Sequence, residues 1–491
     1  MLRHGRVDPG ASTPSSTFFG RGRFGRLFPS LPPFAADTLR TRAELAELGA
    51  QGGLLDANRP NPDGTPGSRN FDNPRITAGL TYLGQFLDHD MTFDPTSSLA
   101  RRQDPESIRN FRIPALDLDS VYGGGPVVSP QLYDNRVDGG GTTMLVEEIP
   151  GSAQASMDGR VRFDVPRNSQ ATALLGDARN DENLIVSQLH LALLRFHNRV
   201  VADVKADTAA PATAQEVFGE ASRLVRWHYQ WIVLHEFLTR AAGTATVEDV
   251  LATGPRHYRW RHDPFIPVEF SVAAYRFGHS QVRPTYRANF GPSAASPERQ
   301  FFAPIFNPSV PDSADPADLR GGRRAPRRFI DWQTFFDFGD GRVFPSKRID
   351  TVLSGPMFAL MGQPEGEPTS LATRNLIRNL TMRVPSGQRV ARAMRLPELA
   401  AADLDDLENF SARTPLWLYV LREAEVVAGG EHLGPVGGRI VAEVIIGLLL
   451  GDRQSFLRQD PGWEPTYGRD GTFTMVDLLG AAGVVADLPL P

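Results

Sequence analysis

The segment Gly84-Gln85-Phe86-Leu87-Asp88-His89-Asp90 sets an imidazole between two carboxylates in a largely apolar run. On a helix Gln85 and His89 are four apart and share a face, with Asp88 on its flank. A histidine held there could take up and release protons near neutral pH. The same residues also suit a helix end whose acids reach solvent. Leu116-Asp117-Leu118-Asp119-Ser120 alternates carboxylates in a loop, which suits oxygen ligation of a hard cation or a solvated acidic turn. It is not an EF-hand: the sixth position is not glycine and the twelfth is Val128. In Gly176-Asp177-Ala178-Arg179-Asn180-Asp181-Glu182, Arg179 and Glu182 are three apart and could face one site. His190 and His197 follow in an apolar helical run, where satisfied core histidines are more common than ligands. Tyr275-Arg276-Phe277-Gly278-His279-Ser280 carries a lone histidine behind a small residue, a pattern open to axial ligation. Gly278-His279-Ser280-Gln281-Val282 is no nucleophile elbow, because the closing glycine is missing.

The elements that must position these groups are mostly helical. Apolar residues recur at three- and four-residue spacing over about 38–49, 78–90, 182–206, 214–241, 371–382, 415–428 and 436–450. Only 143–165 reads as strands, and long Pro/Gly-rich loops run through 254–268, 291–328 and 454–472. Residues 1–35 read as an extended arm. The arm's Gly20-Arg21-Gly22-Arg23-Phe24-Gly25 matches GxGxxG, but no strand precedes it and no βαβ unit follows, so it does not indicate a dinucleotide. The fold class expected is mainly α: one large helical domain over 36–491, with long loops and little β structure.

Composition removes several chemistries. The chain has 491 residues, 41% hydrophobic and 22% charged, and a net charge of -5, so it offers no basic surface for nucleic acid. It has no cysteine, which excludes disulfides, iron–sulfur clusters, thiolate-ligated haem and thiol nucleophiles. Its two lysines, Lys205 and Lys347, lie in no Gly-rich loop, so a P-loop is excluded. There is no HExxH zinc motif. The apolar run Ile440–Leu450 contains Glu443 and is too short to span a membrane, for which roughly 20 residues are needed; it reads as a buried core helix. No apolar run of signal-peptide length is seen, and a cytoplasmic monomer is the simplest expectation.

The order and internal spacing of these segments resemble the animal haem peroxidases of the peroxidase–cyclooxygenase superfamily. GQFLDHD is similar to the family's distal helix, GDARNDE to its distal Arg-x-x-Glu segment, and Tyr275-Arg276-Phe277-Gly278-His279 to its proximal segment. Asn375-Leu376-Ile377-Arg378, followed by Val384-Pro385-Ser386-Gly387, resembles the segment that supplies a partner to the proximal histidine. The resemblance covers about 80–450 and implies haem b as cofactor, with hydrogen peroxide and a small phenol or halide as substrates. His89 would carry a proton between the peroxide oxygens, and Arg179 would stabilise charge as the O–O bond breaks. Gln85 would hold water or halide.

On the proximal side the resemblance implies that His279 ligates the iron and that Asn375 accepts the other ring proton. Arg276 and Arg378 would pair with haem propionates, and Asp88 and Glu182 match the carboxylates that form ester links to haem methyls. Calcium would take Asp90, Asp117, Asp119 and the backbone carbonyls of Ile113 and Ala115. Asn183 stands where some members have a haem-linked methionine, so no sulfonium bond is expected. The competing readings are a fatty-acid oxygenase of the same superfamily and a non-enzymatic haem-binding scaffold. The oxygenase needs a tyrosine three residues before the proximal histidine. That position is Arg276, and Tyr275, on a helix turned by roughly 100° per residue, is expected to point elsewhere.

Overall fold

The computed structural model describes residues 24–488 apart from 62–66, 68, 94–109, 137–140, 208–212, 262, 292–300 and 323. With 45% of residues in helix and 9% in strand, the architecture is mainly α. Its longer helices are α1 (Leu39–Leu48), α2 (Ala78–Met91), α3 (Leu184–Ala206), α4 (Ala214–Ile232), α5 (Thr244–Thr253), α6 (Leu371–Thr381), α7 (Gly387–Met394), α8 (Leu416–Ala428), α9 (Pro435–Gly451) and α10 (Met475–Ala481). The periodic runs of the sequence correspond to α1–α4, α6, α8 and α9. α5, α7 and α10 are not among those runs; α7 and α10, of eight and seven residues, carry only about two turns each.

Local chemistry explains where the site-bearing helices begin. The Asn183 side chain accepts from Val186 N–H and opens α3. Thr213 and Glu216 form a capping box at α4. α4 continues to Ala242 through a π turn over Val233–Phe237. The extra residue of such a turn re-aims the side chains beyond it, and here Phe237 packs against Gly84 of α2, where an added Cβ would sit 3.1 Å from its ring. α9 is buried from Val436 to Leu449. Its Glu443 is satisfied by Arg439 and by the N–H groups of His257 and Tyr258. Among the described residues no helix is long and apolar enough to cross a membrane.

The strands are clips of two to six residues in four two-stranded pairs: β1 (Phe24–Gly25) with β5 (Ile266–Pro267), β2 (Asp72–Thr77) with β8 (Pro345–Lys347), β3 (Glu147–Glu148) with β4 (Phe163–Asp164), and β6 (Thr285–Arg287) with β7 (Phe302–Pro304). The β3–β4 pair lies inside the expected 143–165 region but is shorter than the sequence suggests. Residues 1–23 of the arm lie outside the described residues. From Phe24 onward the chain is docked: β1 pairs in parallel with β5, Leu27 and Phe28 donate to Glu269, and Phe28 and Phe34 are buried.

Candidate active site

A cavity of about 600 Å³ lies between α2 and the 3-10 turn Ala274–His279, within the usual size range of cofactor pockets. Gln85, Asp88 and His89 enter from α2, Glu182 and Asn183 from the start of α3, and Arg276 and His279 from the 3-10 turn. Apolar side chains such as Phe237, Ile305, Met357 and Leu371 close the rest.

His89 is buried, and its Nδ1 lies 2.7 Å from Asn180 Oδ1. The Asn180 Nδ2 in turn lies 3.0 Å from His190 Nδ1. With the amide so placed, His89 donates from Nδ1 and its Nε2 lone pair stands beside the cavity. Burial, and secondly the Arg179 guanidinium, lower its pKa to about 4. The ring is therefore a neutral base at neutral pH. Glu182 stands 3.9 Å from His89 Nε2 and accepts from Gln85. Its carboxyl is open to the cavity yet enclosed by protein, and burial raises its pKa to about 7. Asn183 donates to Gln85 Oε1 at 3.3 Å, which fixes the Gln85 amide. Asp88 lines the cavity and accepts from Thr92 Oγ1 at 3.0 Å.

Arg179 departs from its expected place. It does not line the cavity. Its Nη2 donates to the carbonyls of His89 (3.0 Å) and Thr92 (2.5 Å) and to Asp177 (2.8 Å), and its guanidinium lies 4.7 Å from the Phe93 ring centre. A helix C-terminus presents unpaired carbonyls, and a guanidinium is well suited to cap them. From here Arg179 anchors the end of α2 and acts on His89 through its charge.

On the opposite wall His279 is neutral, its pKa lowered to about 3 by burial and then by Arg276. Asn375 stands 2.9 Å from His279 Nδ1, as expected, but with its amide nitrogen toward the ring. Its oxygen accepts from Arg276 Nη1 at 3.1 Å. The expectation that Asn375 accepts the ring proton is therefore not met in this arrangement. Arg276 reaches the cavity; Arg378, one turn beyond Asn375 on α6, is not part of the lining. Tyr275 corrects another expectation: it lines the cavity, and its hydroxyl donates to the Gly84 carbonyl at 3.0 Å.

Asp90, Asp117 and Asp119 meet with ligand oxygens within 4.8 Å of one another. Leu118 between them has φ 59°, a left-handed conformation costly for leucine, and it turns the two loop carboxylates to one side. Asp90 accepts from Leu118 N–H, Ser120 and Tyr229. One Asp119 oxygen pairs with Arg112 at 2.5 Å; the other is buried with no hydrogen-bond partner among the described residues. Burial is the leading cause raising all three carboxyls, Asp90 to about 7. The carbonyl of Ile113 already accepts from Ala115 N–H at 2.7 Å, and Ala115 is itself buried. Gly176 lets the Arg179 segment lie on this loop, since a Cβ there would meet the Ser120 carbonyl at 2.4 Å. Arg112 joins the two segments, bonding Asp119 and, at 2.5 Å, Asp177.

Asn180, which bonds the His89 ring, is a residue that sequence reasoning misses, its adjacency to Arg179 being the available signal; His190, read there as a core histidine, bonds Asn180 in turn. His197 is a satisfied core histidine, bonded to Tyr122 (3.1 Å) and the Thr142 carbonyl (2.8 Å).

A mainly helical fold around a cavity faced by two neutral histidines, His89 buried and His279 half-buried, defines a candidate cofactor site. Residues 100–317 match the family model "Animal haem peroxidase", a span that holds Arg179, Glu182, Arg276 and His279 but not α2. Thyroid peroxidase of Homo sapiens is 29% identical over 215 residues, covering 41% of this chain and 22% of its own length. Thyroid peroxidase of Mus musculus is 24% identical over 378 residues, covering 74% of this chain and 40% of its own. In each case the chain spans well under half of the relative. Among solved structures, peroxidase A from Dictyostelium discoideum superposes with a TM-score of 0.59 at 16% identity, over 99% of this chain and 97% of that one. Oryza sativa fatty acid alpha-dioxygenase superposes with a TM-score of 0.58 at 16% identity, over 95% and 79%. Over residues 100–317 the chain is thus similar to the animal haem peroxidases, and its fold is shared with the solved peroxidase and dioxygenase structures.

Proposed function

We propose that the protein is a haem-dependent peroxidase that reduces hydrogen peroxide and oxidises small phenols or halides. The observation that carries this reading is His89: a buried, neutral base held by Asn180, facing a cavity whose other wall offers a neutral histidine. The similarity to animal haem peroxidases points to haem, and the cavity's residues fit it. His279 would hold the iron through Nε2, Arg276 a propionate, and Asp88 and Glu182 stand in the wall where ester links to the ring would form. When bound, haem supplies the iron that takes up peroxide and carries its oxidising equivalents.

The chain's own residues handle the proton and the positioning. His89 Nε2 accepts a proton from peroxide and returns it to the leaving oxygen; Asn180 holds the ring so that Nδ1 keeps its own proton throughout. Gln85, fixed by Asn183 and Glu182, orients water or halide beside it. An iron-ligating His279 must carry its proton on Nδ1, so Asn375 must turn its oxygen to the ring. That turn takes the amide oxygen from Arg276 and leaves this guanidinium for a propionate.

Calcium belongs to the same reading. Asp90, Asp117, Asp119, Asp177 and Asp452 face three guanidinium groups, Arg112, Arg179 and Arg226, leaving two negative charges to balance. Asp177 is held low by its arginines, so the deficit falls on Asp90, Asp117 and Asp119, one of which has an oxygen without a partner. Three carboxylates at oxygen-ligand spacing suit a divalent hard cation.

The test is an absorption spectrum of the purified protein with and without peroxide. His279→Ala should lose most haem or change its spin state. His89→Ala should keep haem and slow its reaction with peroxide by orders of magnitude. A normal Soret band in the first variant, or an unchanged rate in the second, removes the corresponding role. A second reading, fatty-acid oxygenase, is favoured by Tyr275 in the cavity wall and by the likeness to the fatty acid alpha-dioxygenase structure. Regiospecific lipid hydroperoxide formation from oxygen without added peroxide would decide for it.

A further inference from the structure

Three of the chain's six tryptophans stand in one cluster that the site does not use. Trp463, on the loop before α10, lies 5.4 Å from Trp227 and 6.0 Å from Trp231 of α4. The His228 ring sits between, 4.9 Å from Trp463 and 5.3 Å from Tyr467. Trp231, Trp463 and Tyr467 are all partly exposed. The Tyr467 hydroxyl donates to Asp203 at 3.0 Å, a carboxylate open to solvent that can take its proton.

The same helix, α4, also faces inward. Tyr229, next to His228, is buried with its ring 6.2 Å from Phe86 of α2. Two residues earlier on the same helix, the Gly84 carbonyl accepts from Tyr275, which forms part of the cavity wall. Oxidisable side chains thus stand at the cavity (Tyr275), where α4 meets α2 (Tyr229, with Phe86 and Gly84 of α2 beside them), and at a surface made of two indoles and a phenol. Phenylalanine or leucine would fill the same volume. The residues that reach solvent here are instead those whose rings release electrons most readily.

We infer that this series is an electron-transfer route, and that the Trp231–Trp463–Tyr467 face is a second oxidation site for phenols too large to enter the cavity. The inference rests on the peroxidase reading. Reduction of one hydrogen peroxide to two waters takes two electrons and two protons. Two phenols at the surface supply them one at a time, each losing an electron to the cluster and a proton to solvent, and each leaving as a phenoxyl radical. The indoles pass the electron inward and are refilled, so the chain itself is unchanged.

The experiment uses the full haem-loaded chain, the variant Trp231→Phe/Trp463→Phe, and two probes: free phenol and phenol coupled to dextran. The haem band is first followed on addition of peroxide. An unresponsive haem sinks the peroxidase reading and the route with it. With a responsive haem, wild type should oxidise both probes, and the variant should lose about tenfold or more on the dextran probe alone. Freeze-quench electron paramagnetic resonance without reductant should show a tryptophanyl signal that the variant lacks, and peptide mass spectrometry should find oxidised Trp463 in wild type. A responsive haem with equal dextran-phenol rates and an unaltered radical signal overturns the route alone.

Discussion

Asn180→Asp tests the base directly. In the native site a neutral amide oxygen lies 2.7 Å from His89 Nδ1, and the ring titrates near 4 because burial and Arg179 disfavour its charge. A carboxylate in that place favours the imidazolium. An opposite charge this close shifts a pKa by about 1–3 units, so a middle value of about two units would move His89 to roughly 6. At pH 5 the neutral fraction would then fall from about 90% to about 10%, and the rate of haem reaction with peroxide should drop roughly ninefold. At pH 8 both proteins hold His89 neutral, and their rates should agree within about twofold.

The assay is stopped-flow absorbance of the haem band from pH 4 to 9. The acid limb should move upward while the plateau stays. An acid limb that does not move would refute the assignment of His89 as base, whatever the plateau does. Arg179→Gln is the companion variant. Removing its charge should also raise the acid limb, by less, because burial is the larger cause. If Arg179 instead works in the cavity during bond cleavage, its loss should lower the rate at every pH.

Calcium removal by chelation should lower the melting temperature and disturb the haem spectrum together, because Asp90 follows His89 on α2; Asp119→Asn should abolish the chelator's effect. Calorimetry and metal analysis check this, and a chelator-insensitive wild type without bound calcium contradicts it. After turnover with peroxide, acidic organic solvent should extract less haem than before it, and Asp88→Ala/Glu182→Gln should restore full extraction. Tyr275→Phe should leave free-phenol oxidation within about twofold if the protein is a peroxidase, since the phenol forms wall and not base. Loss of fatty-acid oxygenation in this variant, measured with an oxygen electrode, would favour the oxygenase.

The helices that hold the site are legible because each buries one face, and a buried face writes a three- and four-residue period into the sequence. Outside the 143–165 region that holds β3 and β4, the clips leave no such trace, since most of them are two or three residues long and show no alternation to read. Site residues are legible where their chemistry is rare in a core: His89, Asp90, Asp117, Asp119 and His279 stand out as charges or imidazoles among apolar neighbours. Asn180 and His190 do not, because an amide and a core histidine are ordinary in type and gain a role only from the 2.7 and 3.0 Å contacts that tertiary folding creates.

Tyr275 shows why counting residues fails at short range. Spacing alone sets it against its neighbour Arg276, as if only one of the two could reach the cavity. The proximal segment is a 3-10 turn laid along the cavity, so Tyr275, Arg276, Phe277, Gly278 and His279 all contribute to the wall. Arg276 is drawn back to the Ser271 carbonyl and Asn375, while Tyr275 reaches across to Gly84 on the opposite helix. A phenol that ties the proximal wall to the distal helix has a structural role in either reaction. Peroxidase and oxygenase differ in whether that phenol relays an electron inward from the surface cluster or, as a radical, takes a hydrogen atom from a lipid held in the cavity, and the two leave radicals on different residues.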